Sequence, residues 1–111
     1  SFTTHGRVGH VMVVMAVTDK AAGAKGVSAF VVDRGTPGMT AGRTEDKLGM
    51  RASDTSEVLF DRCRVPGDRL VGGEGHGFID AMQVLDAGRI GIAALSVGLA
   101  QGAYDAALRY G

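Results

Sequence analysis

Cysteine is almost missing: Cys63 stands alone among 111 residues. That excludes an intrachain disulfide and any zinc site built from cysteines. A preponderance of one charge is missing too, since twelve Lys and Arg balance twelve Asp and Glu for a net charge of +0. Cationic residues are scattered rather than clustered, which argues against nucleic-acid binding through phosphate neutralisation. No long hydrophobic run occurs. The longest, Val11 to Val17, is far too short to cross a bilayer and lacks the flanks of a signal peptide. No initiator Met is present, and Tyr110–Gly111 stop within a helical pattern. A fragment or processed product is therefore expected, and the cytoplasm is the default location.

What is present changes character between Pro66 and Gly77. Before that stretch, short β-type runs alternate with Gly, Pro and Asp turns; after it, Ala and Leu dominate and proline is absent. Val8–Thr18 is rich in Val and Met, and its branching predicts a strand buried on both faces. Val27–Asp33 reads as a second strand ended by the Pro37–Gly38 turn. Met39–Arg43 and Ser56–Arg64 supply further short strands, the latter alternating around Val58 and Phe60. Short strands separated by turns predict a sandwich or barrel rather than a βαβ unit.

Beyond the break, Phe78, Met82, Leu85, Arg89, Ile92, Ser96, Leu99 and Ala103 recur at helical steps. Gly91, Ala94, Gly98 and Gly102 add a stripe of small residues. Each glycine inside a helix costs about 1 kcal/mol relative to alanine, so this helix is expected to pack closely against helices outside these residues. The divisions are thus a β portion over 1–71, and a flexible joint with one long helix over 72–111. Together they make an α+β fragment.

Candidate chemistry is sparse. Gly72–Gly77 lacks the G-K-[ST] ending of a phosphate loop and does not complete G-x-G-x-x-G, because Phe78 stands at the last position. It reads as a hinge and helix start. His5, His10 and His76 show no metal-ligand spacing, so no metal site is expected. Cys63, between Arg62 and Arg64, reads as a small apolar filler rather than an activated thiol. Ser53, Asp54 and Thr55 read as a turn cluster. Asp86 and Arg89 are different: three residues apart, they share a helix face that is otherwise apolar. Spacing alone leaves a structural ion pair and a polar ligand contact both open, with the structural pair favoured.

The order of short motifs is more specific than any one of them. A TPG turn, KLGMR-A-S-D-T, F-x-x-C-x-V-P, G-E-G-x-G-F and LDAGRIGIAA-x-x-x-G-x-A-Q follow one another, preceded by FTTHG and a Val-rich strand. Across nearly its whole length the sequence resembles the acyl-CoA dehydrogenase family, and the LDAGRIGIAA string resembles the short-chain, butyryl-CoA-like branch. The resemblance implies the later part of the family's middle β domain, a short-stranded sandwich or barrel, followed by the first long helix of its C-terminal four-helix bundle.

It also implies FAD as cofactor, an acyl-CoA thioester as substrate, an electron-transfer flavoprotein as electron acceptor and a homotetramer. In the family an α-proton is removed and the β-hydrogen leaves as hydride to flavin N5. Carried over, Phe2 packs near the flavin ring, Thr4 hydrogen-bonds near N5 and Thr3 contributes backbone. Asp86, Ala87, Gly88 and Arg89 become substrate contacts, which reverses the reading from spacing alone.

Two departures stand out in the first motif: Thr3 replaces the family's Ile and His5 its Asn. Gly88 occupies the position that carries the catalytic Glu in the isovaleryl and long-chain branches. The base is therefore expected downstream, and no catalytic residue is expected in this chain. Gly88 is expected to leave room for the acyl chain. Two rival readings remain: another flavoenzyme on the same fold (an acyl-CoA oxidase, nitroalkane oxidase or monooxygenase), or a truncated, non-enzymatic association module.

Overall fold

The computed structural model describes residues 2–111. They form two compact units, the first ending at Gly77 and the second Phe78–Gly111.

The first unit contains strands β1 (Thr3–Thr4), β2 (Val11–Val17), β3 (Val27–Asp33), β4 (Met39–Thr44), β5 (Thr55–Phe60) and β6 (Leu70–Val71). They make two three-stranded antiparallel sheets, ordered β1-β5-β4 and β2-β3-β6. This is the short-stranded β architecture expected from the turn spacing. β2 and β3 pair along their full lengths, from Val11 opposite Asp33 to Val17 opposite Val27. Their connection closes tightly because Thr18 and Asp19 both donate backbone N–H bonds to the Gly26 carbonyl, at 2.8 and 3.1 Å. A Cβ on Gly26 would collide with the Asp19 carbonyl oxygen, so the turn requires glycine for space. In the other sheet the register between β4 and β5 shifts between Ala41 and Thr44. Gly42 lies in that bulge, where a Cβ would come within 2.8 Å of a Glu57 carboxylate oxygen.

β2 departs from the expectation of burial on both faces. Met12, Val14 and Ala16 are half-buried, while Val11, Val13, Met15 and Val17 are exposed. The apolar run specifies a strand, and the described residues cover it on one side only. The hydrophobic core is correspondingly small, with Ala29 and Val32 as its buried apolar members among the described residues. β5 also differs in detail. It ends at Phe60 rather than Arg64, because Arg62 turns the backbone to a φ of 48°. Its buried member is Ser56, not Val58 or Phe60.

The second unit is one uninterrupted helix, α1 (Gly77–Tyr110), whose first residue belongs to the β unit. Its 34 residues span about 51 Å at 1.5 Å per residue. Its most apolar stretch reaches a mean hydropathy of 1.3, so by length and composition alone it could cross a membrane. Gly88, Gly91, Gly98 and Gly102 have nothing within 4 Å of where a Cβ would stand.

The accessible surface is 8485 Å². A compact monomer of this mass exposes about 5,800 Å². Exposed apolar side chains include Val11, Val13, Met15 and Val17 of β2 and Leu85, Ile92 and Leu99 of α1.

Candidate functional site

Two stretches carry the residues singled out from sequence, one in each unit. In the β unit, Phe2 precedes β1 and Thr3 and Thr4 form it. Side chains along a strand alternate, which puts Phe2 and Thr4 on one face and Thr3 on the other. Burial follows that pattern: Phe2 is 80% exposed, Thr4 is exposed and Thr3 is half-buried. Phe2 borders a shallow cleft of about 320 Å³ shared with Arg43, Glu45 and Glu57. An exposed aromatic face with a hydroxyl two residues along is a suitable platform for a planar ring system, so these residues fit a flavin.

β1 has only two residues and depends on its neighbours to stay in place. Thr3 and Thr4 pair with Ser56 and Thr55 of β5. Immediately after the strand the chain reverses: His5 adopts a φ of 55° and donates its backbone N–H to the Asp54 carbonyl at 2.8 Å. His, like Asn, is enriched among non-glycine residues at positive φ. That explains how His5 replaces an Asn in this motif without loss of the turn. Gly6 follows, and a Cβ there would come within 2.8 Å of Val58 Cγ2 and 2.9 Å of Ser56 Oγ.

Asp54 organises the corner. One carboxylate oxygen, Oδ2, accepts the Arg7 backbone N–H at 3.1 Å and the Ser56 hydroxyl at 3.3 Å. The Arg7 guanidinium also donates to Thr44 Oγ1 at 3.1 Å, tying β4 to the same corner. Beside it, Lys47 Nζ donates to the Ser53 carbonyl at 2.6 Å and to Thr55 Oγ1 at 2.9 Å. Arg51 donates to Asp46 at 2.6 Å and to the Lys47 carbonyl at 2.9 Å. These bonds staple the 46–54 loop and leave Leu48 and Met50 exposed.

Generic turn chemistry had assigned Asp54 no particular task, and Lys47 and Ser56 were not singled out. The available signal was the dense run of Ser, Asp and Thr, since such side chains bond nearby backbone N–H groups. Its long-range target, Arg7, could not be read from spacing.

On α1, Asp86 and Arg89 form an ion pair, Arg89 Nη1 to Asp86 Oδ1 at 2.6 Å. Asp86, Ala87, Gly88 and Arg89 are all exposed. The pair lies on the helix surface rather than in a core, so little desolvation opposes it and the guanidinium keeps donors to offer.

The Gly72–Gly77 stretch, expected to be a flexible joint, is tied into the β unit. The Gly75 backbone N–H donates to Ser28 Oγ at 2.9 Å, and the His76 N–H to the Gly73 carbonyl at 3.1 Å. Cys63 is half-buried and lines an apolar groove of about 560 Å³ with Val14, Ala16, Phe30, Val32 and Phe60. No cluster of metal-ligating side chains occurs among the described residues.

The family model of the acyl-CoA dehydrogenase middle domain matches residues 1–63. The chain belongs to that family. It is 50% identical over 109 residues to cyclohex-1-ene-1-carbonyl-CoA dehydrogenase of Geobacter metallireducens, covering 98% of this chain and 29% of the relative. Among solved structures, it resembles a chain from a study of the electron-transferring flavoprotein of Acidaminococcus fermentans. That match has a TM-score of 0.90 and 48% identity over 98% of this chain and 29% of the other. Butyryl-CoA dehydrogenase of Megasphaera elsdenii is similar at a TM-score of 0.79 and 46% identity, over 84% of this chain and 24% of the other. The chain thus spans under a third of the length of these acyl-CoA dehydrogenase relatives. The family's middle-domain match covers most of the β unit, including β1 and the Asp54 corner.

Proposed function

We propose that these residues are part of a flavin-dependent acyl-CoA dehydrogenase, which oxidises the α,β C–C bond of an acyl-CoA thioester. The observation that carries the reading is the exposed Phe2/Thr4 face on a strand pinned by Asp54. FAD, when bound there, supplies the acceptor for the β-hydrogen and its electron pair. Phe2 offers its ring as a packing surface. Thr4 offers a hydroxyl donor and Thr3 holds the strand to β5. Protein groups of this kind orient a cofactor and tune its electronics. Asp86, Ala87, Gly88 and Arg89 contact the acyl-CoA, Arg89 through donors its bond to Asp86 leaves unused. The base that takes the α-proton comes from elsewhere in the longer protein, because position 88 is a glycine.

Electrons pass on to an electron-transfer flavoprotein, a partner class supported by the A. fermentans likeness. The full protein assembles as a homotetramer, and sedimentation velocity measures that. Its location is the cytoplasm, which cell fractionation checks. Within the family, membership supports a β-oxidation role.

The deciding experiment is an anaerobic visible spectrum of the full-length protein before and after addition of butyryl-CoA. Flavin absorbance that bleaches on addition supports the dehydrogenase. Bound flavin that stays oxidised would move the reading to another substrate or another reaction on this fold. A protein without flavin would reject it.

A further inference from the structure

Two hydrogen-bonded hydroxyls, buried at Ser28 and exposed at Thr18, join the G-E-G-x-G segment to the β2–β3 hairpin. Ser28 of β3 is 0% exposed, and its Oγ accepts the Gly75 N–H at 2.9 Å. The same oxygen lies 2.8 Å from Thr18 Oγ1, which lies 3.3 Å from the Gly26 carbonyl. One placement of protons satisfies every member: Gly75 N–H donates to Ser28, Ser28 to Thr18, and Thr18 to Gly26. The glycines on the other side are selected for space. A Cβ on Gly77 would stand 2.7 Å from the Ser28 carbonyl carbon and 2.8 Å from the Ala29 nitrogen. Gly75 has a φ of 78°, and a Cβ there would collide with the Lys25 carbonyl oxygen. Backbone therefore lies directly on backbone, with Ser28 as the bond that holds it.

We propose that Ser28 is a positioning residue, which latches Gly73–Gly77 to β3 and so fixes the start of α1. Asp86–Arg89 lie on that same helix, so a loosened start lowers affinity for the acyl-CoA without touching the reacting atoms. This consequence rests on the dehydrogenase reading; the latch itself does not.

The test uses the full-length flavoprotein with Ser28→Ala. Amide hydrogen exchange over residues 73–77 should quicken by about five- to thirty-fold, the loss expected for one buried hydrogen bond. The KM for butyryl-CoA should rise by a comparable factor, while kcat stays within about twofold, as for lost binding that is uniform between ground and transition states. Thr18→Val should shift both readouts in the same direction by less, and Thr18→Ser, which keeps the hydroxyl, should restore them. The Thr18 pair decides the matter should Ser28→Ala not fold. Unchanged exchange would overturn the latch. Faster exchange with an unmoved KM, or with kcat falling in step, would overturn the positioning role. If wild-type flavin is not reduced by butyryl-CoA, the dehydrogenase reading fails and exchange alone decides the latch.

Discussion

Asp54→Ala should loosen the strand that bears Phe2 and Thr4, and the size of the effect follows from what each lost bond leaves behind. The carboxylate accepts two bonds, from the Arg7 N–H at 3.1 Å and the Ser56 hydroxyl at 3.3 Å. Arg7 is exposed, so water replaces its partner at little net cost. Ser56 is 0% exposed, and an orphaned buried donor costs about 1–3 kcal/mol. The expected destabilisation is about 2 kcal/mol, roughly a thirtyfold shift toward the unfolded state. Because most of it arises from the stranded hydroxyl, removing that hydroxyl should relieve it. Asp54→Ala made on a Ser56→Ala background should therefore cost about 1 kcal/mol less than on the wild type. Urea titrations of the wild type, both single variants and the double variant, followed by circular dichroism, measure the cycle. Costs that simply add would refute the reasoning, since they would mean that Ser56 does not depend on Asp54. Flavin affinity should fall in Asp54→Ala and recover in part in the double variant.

The glycines provide a matched comparison: Gly26→Ala should cost more than about 3 kcal/mol, because the new Cβ meets backbone that cannot yield. Gly49→Ala, with nothing within 4 Å of its Cβ, should fall within about 0.5 kcal/mol of wild type in the same denaturation assay. Arg89→Ala in the full-length protein should raise the KM for butyryl-CoA by about tenfold, the loss of one charge-assisted bond, and leave the oxidised flavin spectrum unchanged. Steady-state kinetics that match wild type would remove Arg89 from the substrate contacts. The isolated 111-residue chain, with an accessible surface of 8485 Å², should self-associate or lack fixed order; a monodisperse monomer in sedimentation would contradict that.

Much of the fold was legible because strands and turns announce themselves locally. Val27–Asp33 was bounded by composition alone and matches β3. The Met39 strand was placed to within one residue of β4. β2 misled because an apolar run specifies a strand without saying which of its faces these residues cover. The short strands β1 and β6, two residues each, carry no periodic signal and exist only through their partners. At the candidate site, Phe2, Thr3 and Thr4 were reached through motif resemblance, and the structure adds that Phe2 and Thr4 share one exposed face. Asp54 and Ser28 stayed hidden for a common reason. Each bonds a backbone N–H 47 residues away, at Arg7 and Gly75 respectively, and no spacing rule reaches that far.

The pairing of β1 also sets an order of events. β2 and β3 are sequence neighbours joined through residues 18–26, and hairpins form in about 1–10 μs. β1 must instead find β5 across about fifty residues, a closure whose entropy is repaid only when the intervening strands are already in place. The Phe2–Thr4 strand is therefore among the last parts of the β unit to settle. A cofactor that needs its surface must arrive late, acting as the final fastener of the sheet rather than a seed for it. Pulse-labelled hydrogen exchange during refolding reads this directly: the β2–β3 amides should gain protection before Thr3 and Thr4, and flavin should hasten only the second phase.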